Sequence, residues 1–391
     1  MNYIKNGKWV FLIIIFFIPI SYKSSIIFTI NYFISFLKMQ IEFKKNENYL
    51  NLCNDIKLTI LKNFKQSKNP KISIISPIFN RDRYILRFIK SLQYQSFNNI
   101  EIILIDDCSI DQSSKEVEKY QQKDKRIILI KNKKNKGTLI SRNIGVLYSK
   151  GRYLILPDPD DILSKNIIFL CYKYAEKNKY EMIRFNLYLG SKTISFPNIV
   201  KNLDNRVILQ PELSTYNFYG NHELQIIDLS LSNKFIRKDL YLKSLNELHK
   251  FYLNVYMIYM EDTIINIILY RIAKNLYFLK RIGYYYIIHS QSITNNLGKL
   301  SELKIKFSFI LLQLIFDYTK NTKYEKDMAN TMFTVINRRF NIERMLLTYD
   351  MNLDFFYNII EKYLNSKFIT NDNKKILNIF KNIIKRRNKI K

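Results

Sequence analysis

IEIILIDDCS, residues 100–109, is an apolar run that stops at two adjacent aspartates. A short run rich in β-branched residues suits a strand buried on both faces, and the acids mark where the chain leaves the sheet. The same scheme recurs on either side. ISIISPIF (Ile72–Phe79) ends at Asn80 and Arg81, RIILIKN (Arg126–Asn132) gives a third strand, and RYLILPD (Arg152–Asp158) a fourth that runs into Asp158, Asp160 and Asp161. Helical spacing lies between them: Ile85, Phe88, Ile89 and Leu92; then the stretch around Val117 and Tyr120; then Leu139 to Tyr148. Strands alternating with helices predict an α/β fold with a mostly parallel sheet and right-handed crossovers. Ligands of such sheets sit outside the carboxyl ends of the strands. One acid pair there is commonly a helix cap, a role open to Asp111 and Asp161. Three polar clusters at equivalent strand ends predict a shared site.

The second half is less regular. Glu223 to Leu245 carries short apolar runs around Asn233 and Lys234, and Tyr259 to Ala273 reads as a helix opened by Glu261 and Asp262. Acids there interact favourably with the helix dipole, which is the simpler explanation of the pair. NLYFLKRIGYYYIIHSQSIT (Asn275–Thr294) predicts a strand pair closing the domain, with His289 near its end. FSFILLQLIF (Phe307–Phe316) reads as a buried helix, too short for a membrane span. The acid-free end, Lys374–Lys391, sets Ile376, Ile379, Phe380, Ile383 and Ile384 in an apolar stripe. That stripe fits a docked terminal helix or a basic helix lying on anionic lipid.

The chain has 391 residues, and 63 Lys and Arg against 33 Asp and Glu give a formal charge of +30. Because the bias runs through the whole sequence, it argues against a specific nucleic-acid surface. Cys53, Cys108 and Cys171 form neither a disulfide framework nor a zinc pattern. Near the N-terminus, Lys5 and Lys8 precede the uncharged run Trp9–Ile20. As a helix it spans roughly 18 Å, short of a bilayer core of about 30 Å. A second run, Ile26–Leu37, follows. Residues 1–40 therefore read as an uncleaved signal anchor or a cleaved signal peptide, with a core or surface helix as the third reading. The anchor predicts a single-pass membrane protein facing the secretory lumen (ER or Golgi), and cleavage predicts a secreted one. Residues 41–69 read as a stem, 70–294 as the α/β domain and 295–391 as a helical basic extension.

Acids crowded after a buried strand repel one another unless a cation sits among them. Hard oxygens at Asp158 and Asp160 suit Mg²⁺ or Mn²⁺ with positions left for phosphate oxygens. No P-loop and no G-x-G-x-x-G after a strand is present. A diphosphate would then be gripped by metal and cations, for which the fork of Arg142 is suited.

Four blocks carry a family resemblance: ISIISPIFNR, SLQYQSFNNIEIILIDDCSIDQS, NKGTLISRNIGVLYSKGRYLILPDPDD and YMEDT. In this order the chain from Lys71 to about Thr294 resembles a family 2 glycosyltransferase of the Rossmann-like GT-A fold. The resemblance implies a nucleotide-sugar donor, with Pro77, Phe79 and Asp107 at base and ribose, and Asn80, Arg81 and Asp106 beside them. Arg142 and Asn143 match the family's R-N pair near the donor. Asp158 and Asp160 match its D-x-D metal motif; Asp161 adjoins it, and His289, in a closing segment, is a metal-side candidate or a satisfied buried histidine. Asp262 matches the base that deprotonates an acceptor hydroxyl, so that configuration inverts, and Glu261 could orient the acceptor. Expected partners are a nucleotide-sugar donor, a carbohydrate or lipid-linked acceptor and, through the N-terminus, a membrane. Cys108, where the family usually has a small residue, and Pro159 are departures. A nucleotidyltransferase and an inactive sugar-nucleotide-binding protein are the competing readings. Gly190–Tyr219 matches nothing interpretable.

Overall fold

A computed structural model of the chain describes residues 69–189, 192–194, 205–210, 230–249, 256–289, 301–319, 357–358, 360–361 and 371–388. The chain divides into Met1–Lys57 and Leu58–Lys391, and every described residue belongs to the second unit. The expected N-terminal segment, nearly all of the stem, and most of Gly190–Tyr219 lie outside the described residues.

The first half follows the pattern of the sequence: β1 (Ile72–Ile78), α1 (Asp82–Gln93), β2 (Ile100–Asp106), α2 (Ser113–Lys123), β3 (Ile127–Lys131), α3 (Thr138–Tyr148) and β4 (Tyr153–Ile155). β5 (Ile162–Leu163), α4 (Ile167–Asn178), β6 (Met182–Leu189), β7 (Lys192–Ile194), β8 (Val207–Leu209), β9 (Lys234–Arg237), α5 (Lys238–His249), α6 (Glu261–Ile272) and β10 (Asn275–Tyr286) follow. The sheet runs β3-β2-β1-β4-β9-β6-β10-β5, with β7 on β6 and β8 on β10. Pairings among β3, β2, β1 and β4 are parallel, and so is β6 with β10, while β9 runs antiparallel to both β4 and β6.

Alternation along the strands explains why the sheet is covered on both faces. Ile75, Ile103 and Ile105 pack with Leu139 and Val146 of α3 and with α5 and α6. Ile72, Ile74, Ile78, Ile102 and Leu104 pack on the other side with Ile85, Phe88 and Leu92 of α1 and Ile168 and Cys171 of α4. Pro77 has no N–H to donate and is buried late in β1, where β4, paired only with Ile72–Ile74, has already ended.

Of the expected strand pair at Asn275–Thr294, the described residues 275–289 hold one strand, β10, and residues 290–294 lie outside the described residues. β10 runs beside β6 for its whole length, and register shifts between Leu279 and Tyr284 form a bulge. Gly283 lies at this bulge. Here the glycine allows close approach: a Cβ at this position would lie 2.4 Å from side-chain carbons of Ile167 and Phe185.

Beyond the sheet lie α7 (Ser301–Thr319) and α8 (Asn371–Asn388). Phe307, Leu311, Leu314 and Ile315 are buried as expected. Among the described side chains of α8, Leu377 and Ile384 are buried and join the core cluster of α5 and α6, whereas Ile379 of the expected stripe is exposed; Ile376, Phe380 and Ile383 lie outside the described side chains. The burial of Leu377 and Ile384 fits the docked reading of the terminal helix. Among the described residues no helix is long and apolar enough to cross a membrane.

Candidate active site

β1 lies between β2 and β4, so the connections on its two sides diverge at its carboxyl end. Two loops there are laced together by side-chain to backbone hydrogen bonds. Asn80 N–H donates to Ser109 Oγ (3.1 Å), Ile110 N–H to Asn80 Oδ1 (3.0 Å), Arg81 N–H to Ser113 Oγ (2.7 Å) and Asp82 N–H to Asp111 Oδ2 (3.0 Å). Ser113 N–H donates to Asp111 Oδ1 at 2.9 Å, so Asp111 serves the starts of both α1 and α2. Phe79 is left exposed at the rim. Asn80 and Cys108 have positive φ, 51° and 67°. Left-handed backbone is tolerable for asparagine and costs a cysteine roughly 1–2 kcal/mol.

Asp106 and Asp107 are buried and occupied. Asp106 Oδ1 accepts from Ser109 N–H (3.1 Å). Asp107 gathers the loop before α3: Oδ1 accepts from Asn132 Nδ2 and Lys136 N–H, Oδ2 from Gly137 N–H, all at 2.8 Å. Gly137 has φ 84°, and a Cβ there would sit 2.8 Å from the Met257 carbonyl oxygen. Asp107 is thus the organiser of the turn that launches α3.

α3 carries Arg142, 1% exposed. Its Nη1 donates to Asp262 Oδ1 (2.7 Å) and Glu261 Oε1 (3.1 Å), and its Nη2 to Asp158 Oδ1 (3.2 Å). One guanidinium thereby joins the acid loop after β4 to the first turn of α6. Burial opposes its charge, but Asp262, Glu261 and Asp158 outweigh it and push its pKa up. The acids pay in the other direction. Burial, with Asp262 beside it, pushes Glu261 up to about 7 against the pull of Arg142. Burial also pushes Asp158 up to about 8, opposed by Arg142 and reinforced by Asp262, Asp160 and Glu261. Although protein surrounds it, the Asp158 side chain is 36% exposed. Asp262 Oδ2 accepts from Leu231 N–H at 3.0 Å, and its side chain is 19% exposed. Met260, just before the pair, has φ 60°, so the acids sit on a strained entry to the helix. Asn143 accepts from Tyr241 Oη–H at 3.2 Å.

Asp160 lies on the opposite side of the loop, where Arg81 Nε (3.2 Å) and His289 Nε2 (3.0 Å) both reach its Oδ2. Burial raises its pKa, but His289 and Arg81 outweigh that and hold it low. His289 stacks on Tyr84 with ring centroids 4.2 Å apart. Asp161 is 1% exposed and turned inward: Oδ2 accepts from Tyr284 Oη–H and Oδ1 from Ile287 N–H, both at 2.7 Å. Burial, with Asp160 and Asp158 near, raises its pKa well above the usual range.

Arg142 was expected to grip a diphosphate and is instead enclosed by carboxylates, because three acids from two motifs reach it first. Asp161 was expected beside a metal and is instead committed to β10. Asp158, Glu261 and Asp262 come together around Arg142. Sequence reasoning missed Asn132, Ser109 and Tyr284. Tyr284 stands inside a run of three tyrosines, and the alternation of β10 is the only signal that would have turned it inward.

The sequence profile of glycosyl transferase family 2 matches residues 73–243, which span β1 to α5. Residues 73–243 form a family 2 glycosyltransferase domain. The chain is 30% identical over 117 residues to glycosyltransferase GlyG of Streptococcus pneumoniae, covering 30% of this chain and 39% of GlyG. It is 29% identical over 228 residues to the uncharacterized glycosyltransferase EpsJ of Bacillus subtilis, 58% of this chain and 63% of EpsJ. With the minor teichoic acid biosynthesis protein GgaB of Bacillus subtilis it shares 30% over 152 residues, 38% of this chain and 17% of GgaB. The chain thus spans less than two thirds of each of these relatives. In fold it is similar to S. aureus TarS 1-349 in complex with UDP-GlcNAc: TM-score 0.59, 14% identity, 82% of this chain and 92% of that one. The GT-A expectation holds, and the family 2 domain is built on it.

Proposed function

We propose that the chain is an inverting glycosyltransferase, moving a sugar from a nucleotide-diphosphate donor to a hydroxyl of a carbohydrate or lipid-linked acceptor, with Mn²⁺ or Mg²⁺. The observation that carries this reading is the buried Arg142 bridge, which draws Asp158 and the Glu261–Asp262 pair into one cleft at the carboxyl end of β1 and β4.

A divalent ion fits the residues present. Three acids face one guanidinium, and Asp262, Asp160 and Glu261 add to burial in raising the pKa of Asp158 against the pull of Arg142. Among the described residues no three Asp, Glu, His or Cys side chains converge as a ligand set. The ion would therefore be held by few protein oxygens, Asp158 and Asp160, and completed by phosphate. When bound, it supplies neutralisation of the charge developing on a departing diphosphate.

The other steps belong to the chain. Asp262 is fixed by Arg142 at one oxygen and by the Leu231 N–H at the other, and its exposed lone pairs can take the proton of an acceptor hydroxyl. Arg142 holds that carboxylate in a fixed orientation. A base and a leaving group on opposite sides of the anomeric carbon require in-line attack, hence inversion. Glu261, buried against Arg142, holds the guanidinium in place.

A panel of nucleotide sugars, beginning with the UDP-GlcNAc bound to TarS, assayed for turnover with and without chelator, tests the reading. Turnover of at least one donor, lost on chelation and restored by Mn²⁺ or Mg²⁺, is expected. No turnover with any donor and ion would overturn it. Membrane attachment through Trp9–Ile20 belongs to the same proposal. Carbonate extraction of membranes carrying the full chain should leave it in the pellet, and release into the supernatant would contradict attachment.

A further inference from the structure

The acid loop between β4 and β5 has no ladder of its own along Leu156–Asp161, yet its end is pinned to one strand. β5 pairs antiparallel with β10 through Leu163 opposite Tyr284 and Ile162 opposite Tyr285. Tyr284, fully buried, receives the Asp158 N–H at its Oη (3.0 Å) and donates its own hydrogen to Asp161 Oδ2 (2.7 Å). The other oxygen of Asp161 takes the Ile287 N–H (2.7 Å), and two residues further His289 reaches Asp160 Oδ2 (3.0 Å). Within the loop the Asp161 N–H also points at the Asp158 carbonyl, at 3.3 Å. Three positions of the loop are therefore tied to one strand end, through groups whose loss would leave buried polar atoms unpaired.

We infer that Asp161 and Tyr284 form a positioning latch: they touch no substrate but set the direction and separation of Asp158 and Asp160 by clamping their loop to the end of β10. The inference rests on the reading of Asp158 and Asp160 as the cation-holding pair. It goes beyond that reading by taking Asp161 out of the ligand set and giving a role to a tyrosine of no evident chemistry. Groups that orient metal ligands typically change metal affinity 10–100-fold when removed, without themselves binding the ion.

The test uses the full chain and two readouts. Tyr284→Phe deletes both hydroxyl contacts with almost no change in volume, and Asp161→Asn removes the acceptor of one of them. Tyr277→Phe is the control on the same strand, since Tyr277 bonds to Asn205, away from the loop. Mn²⁺ binding in the presence of UDP is followed by the EPR signal of free Mn²⁺, and hydrogen exchange is followed in peptides spanning 156–163. Tyr284→Phe and Asp161→Asn should each weaken Mn²⁺ binding about tenfold and speed exchange in that peptide, while exchange in β1 and β2 stays as in the parent. Tyr277→Phe should do neither. Unchanged Mn²⁺ affinity in Tyr284→Phe, with or without faster exchange, overturns the positioning role. If the parent chain itself binds no Mn²⁺, the cation-pair reading falls, and unchanged exchange in Tyr284→Phe then overturns the latch separately.

Discussion

Two buried arginines of this chain live in opposite circumstances. Arg126 pairs with Asp124 in a two-pronged bond, Nε to Asp124 Oδ1 at 3.0 Å and Nη2 to Asp124 Oδ2 at 2.9 Å, and Gln93 Nε2 (3.0 Å) and the Arg126 N–H (3.1 Å) donate to the same carboxylate. Both partners are almost wholly buried, 1% and 0% exposed, and the charges cancel. Arg142 is equally buried but faces Asp158, Glu261 and Asp262 together, so its surroundings carry more negative charge than it can cancel. In the first, both prongs of the guanidinium fall on one buried carboxylate, which is how a structural ion pair looks. The second is unbalanced and opens at Asp158 onto a cleft; such perturbed groups mark functional sites.

The sharpest way to break this contrast is to delete each guanidinium. Removing one partner of a buried pair costs about 3–5 kcal/mol, because it strands the other charge. Arg126→Met should show that loss in denaturant unfolding, and the double variant Asp124→Asn/Arg126→Met should regain much of it. Arg142→Met should be destabilised at least as much, and adding Asp158→Asn should regain only part, since Glu261 and Asp262 remain. Full recovery in that second pair would mean that Arg142 too is in a one-to-one bridge.

A second test uses pH. Glu261 keeps its proton in the folded chain up to about 7, against an ordinary value of 4.5. Between those values the folded state holds a proton that the unfolded state has released, so this group's contribution to stability falls as pH rises through the window. The span corresponds to on the order of 3 kcal/mol. Glu261→Gln removes the effect: relative to the parent, its unfolding free energy should climb from pH 4 to pH 8, and a flat difference would contradict the unbalanced cleft. Smallest is the strain at Cys108. Cys108→Gly, which suits φ 67°, should raise stability by about 1 kcal/mol with the strand-end loops unchanged.

Much of this architecture was readable from the chain because local and global signals agree there. The β-branched runs of β1 and β2 are buried on both faces, that of β3 at the sheet edge is partly buried, and their polar ends converge as the sheet topology requires. The Glu261–Asp262 pair could be singled out but not explained, since capping accounts for it equally well until Arg142, about 120 residues away, is seen between its oxygens. Asp161 and Asp158 look alike in sequence; only the turn that points one at Tyr284 and the other at the cleft separates them. Gly283 is ambiguous in the same way, because a glycine in a strand marks a bulge as readily as a turn, and the deciding fact is the packing of Ile167 and Phe185 against it.

The central claim is that Asp158 and Asp262 serve one reaction from two sides of one cleft, and Asp262→Asn tests it most directly. Titration of that variant with UDP-GlcNAc and Mn²⁺, or with whichever donor the panel identifies, should give a dissociation constant within a few-fold of the parent, while transfer falls about 10²–10⁴-fold. Retained transfer, or loss of donor binding in step with turnover, would contradict the account.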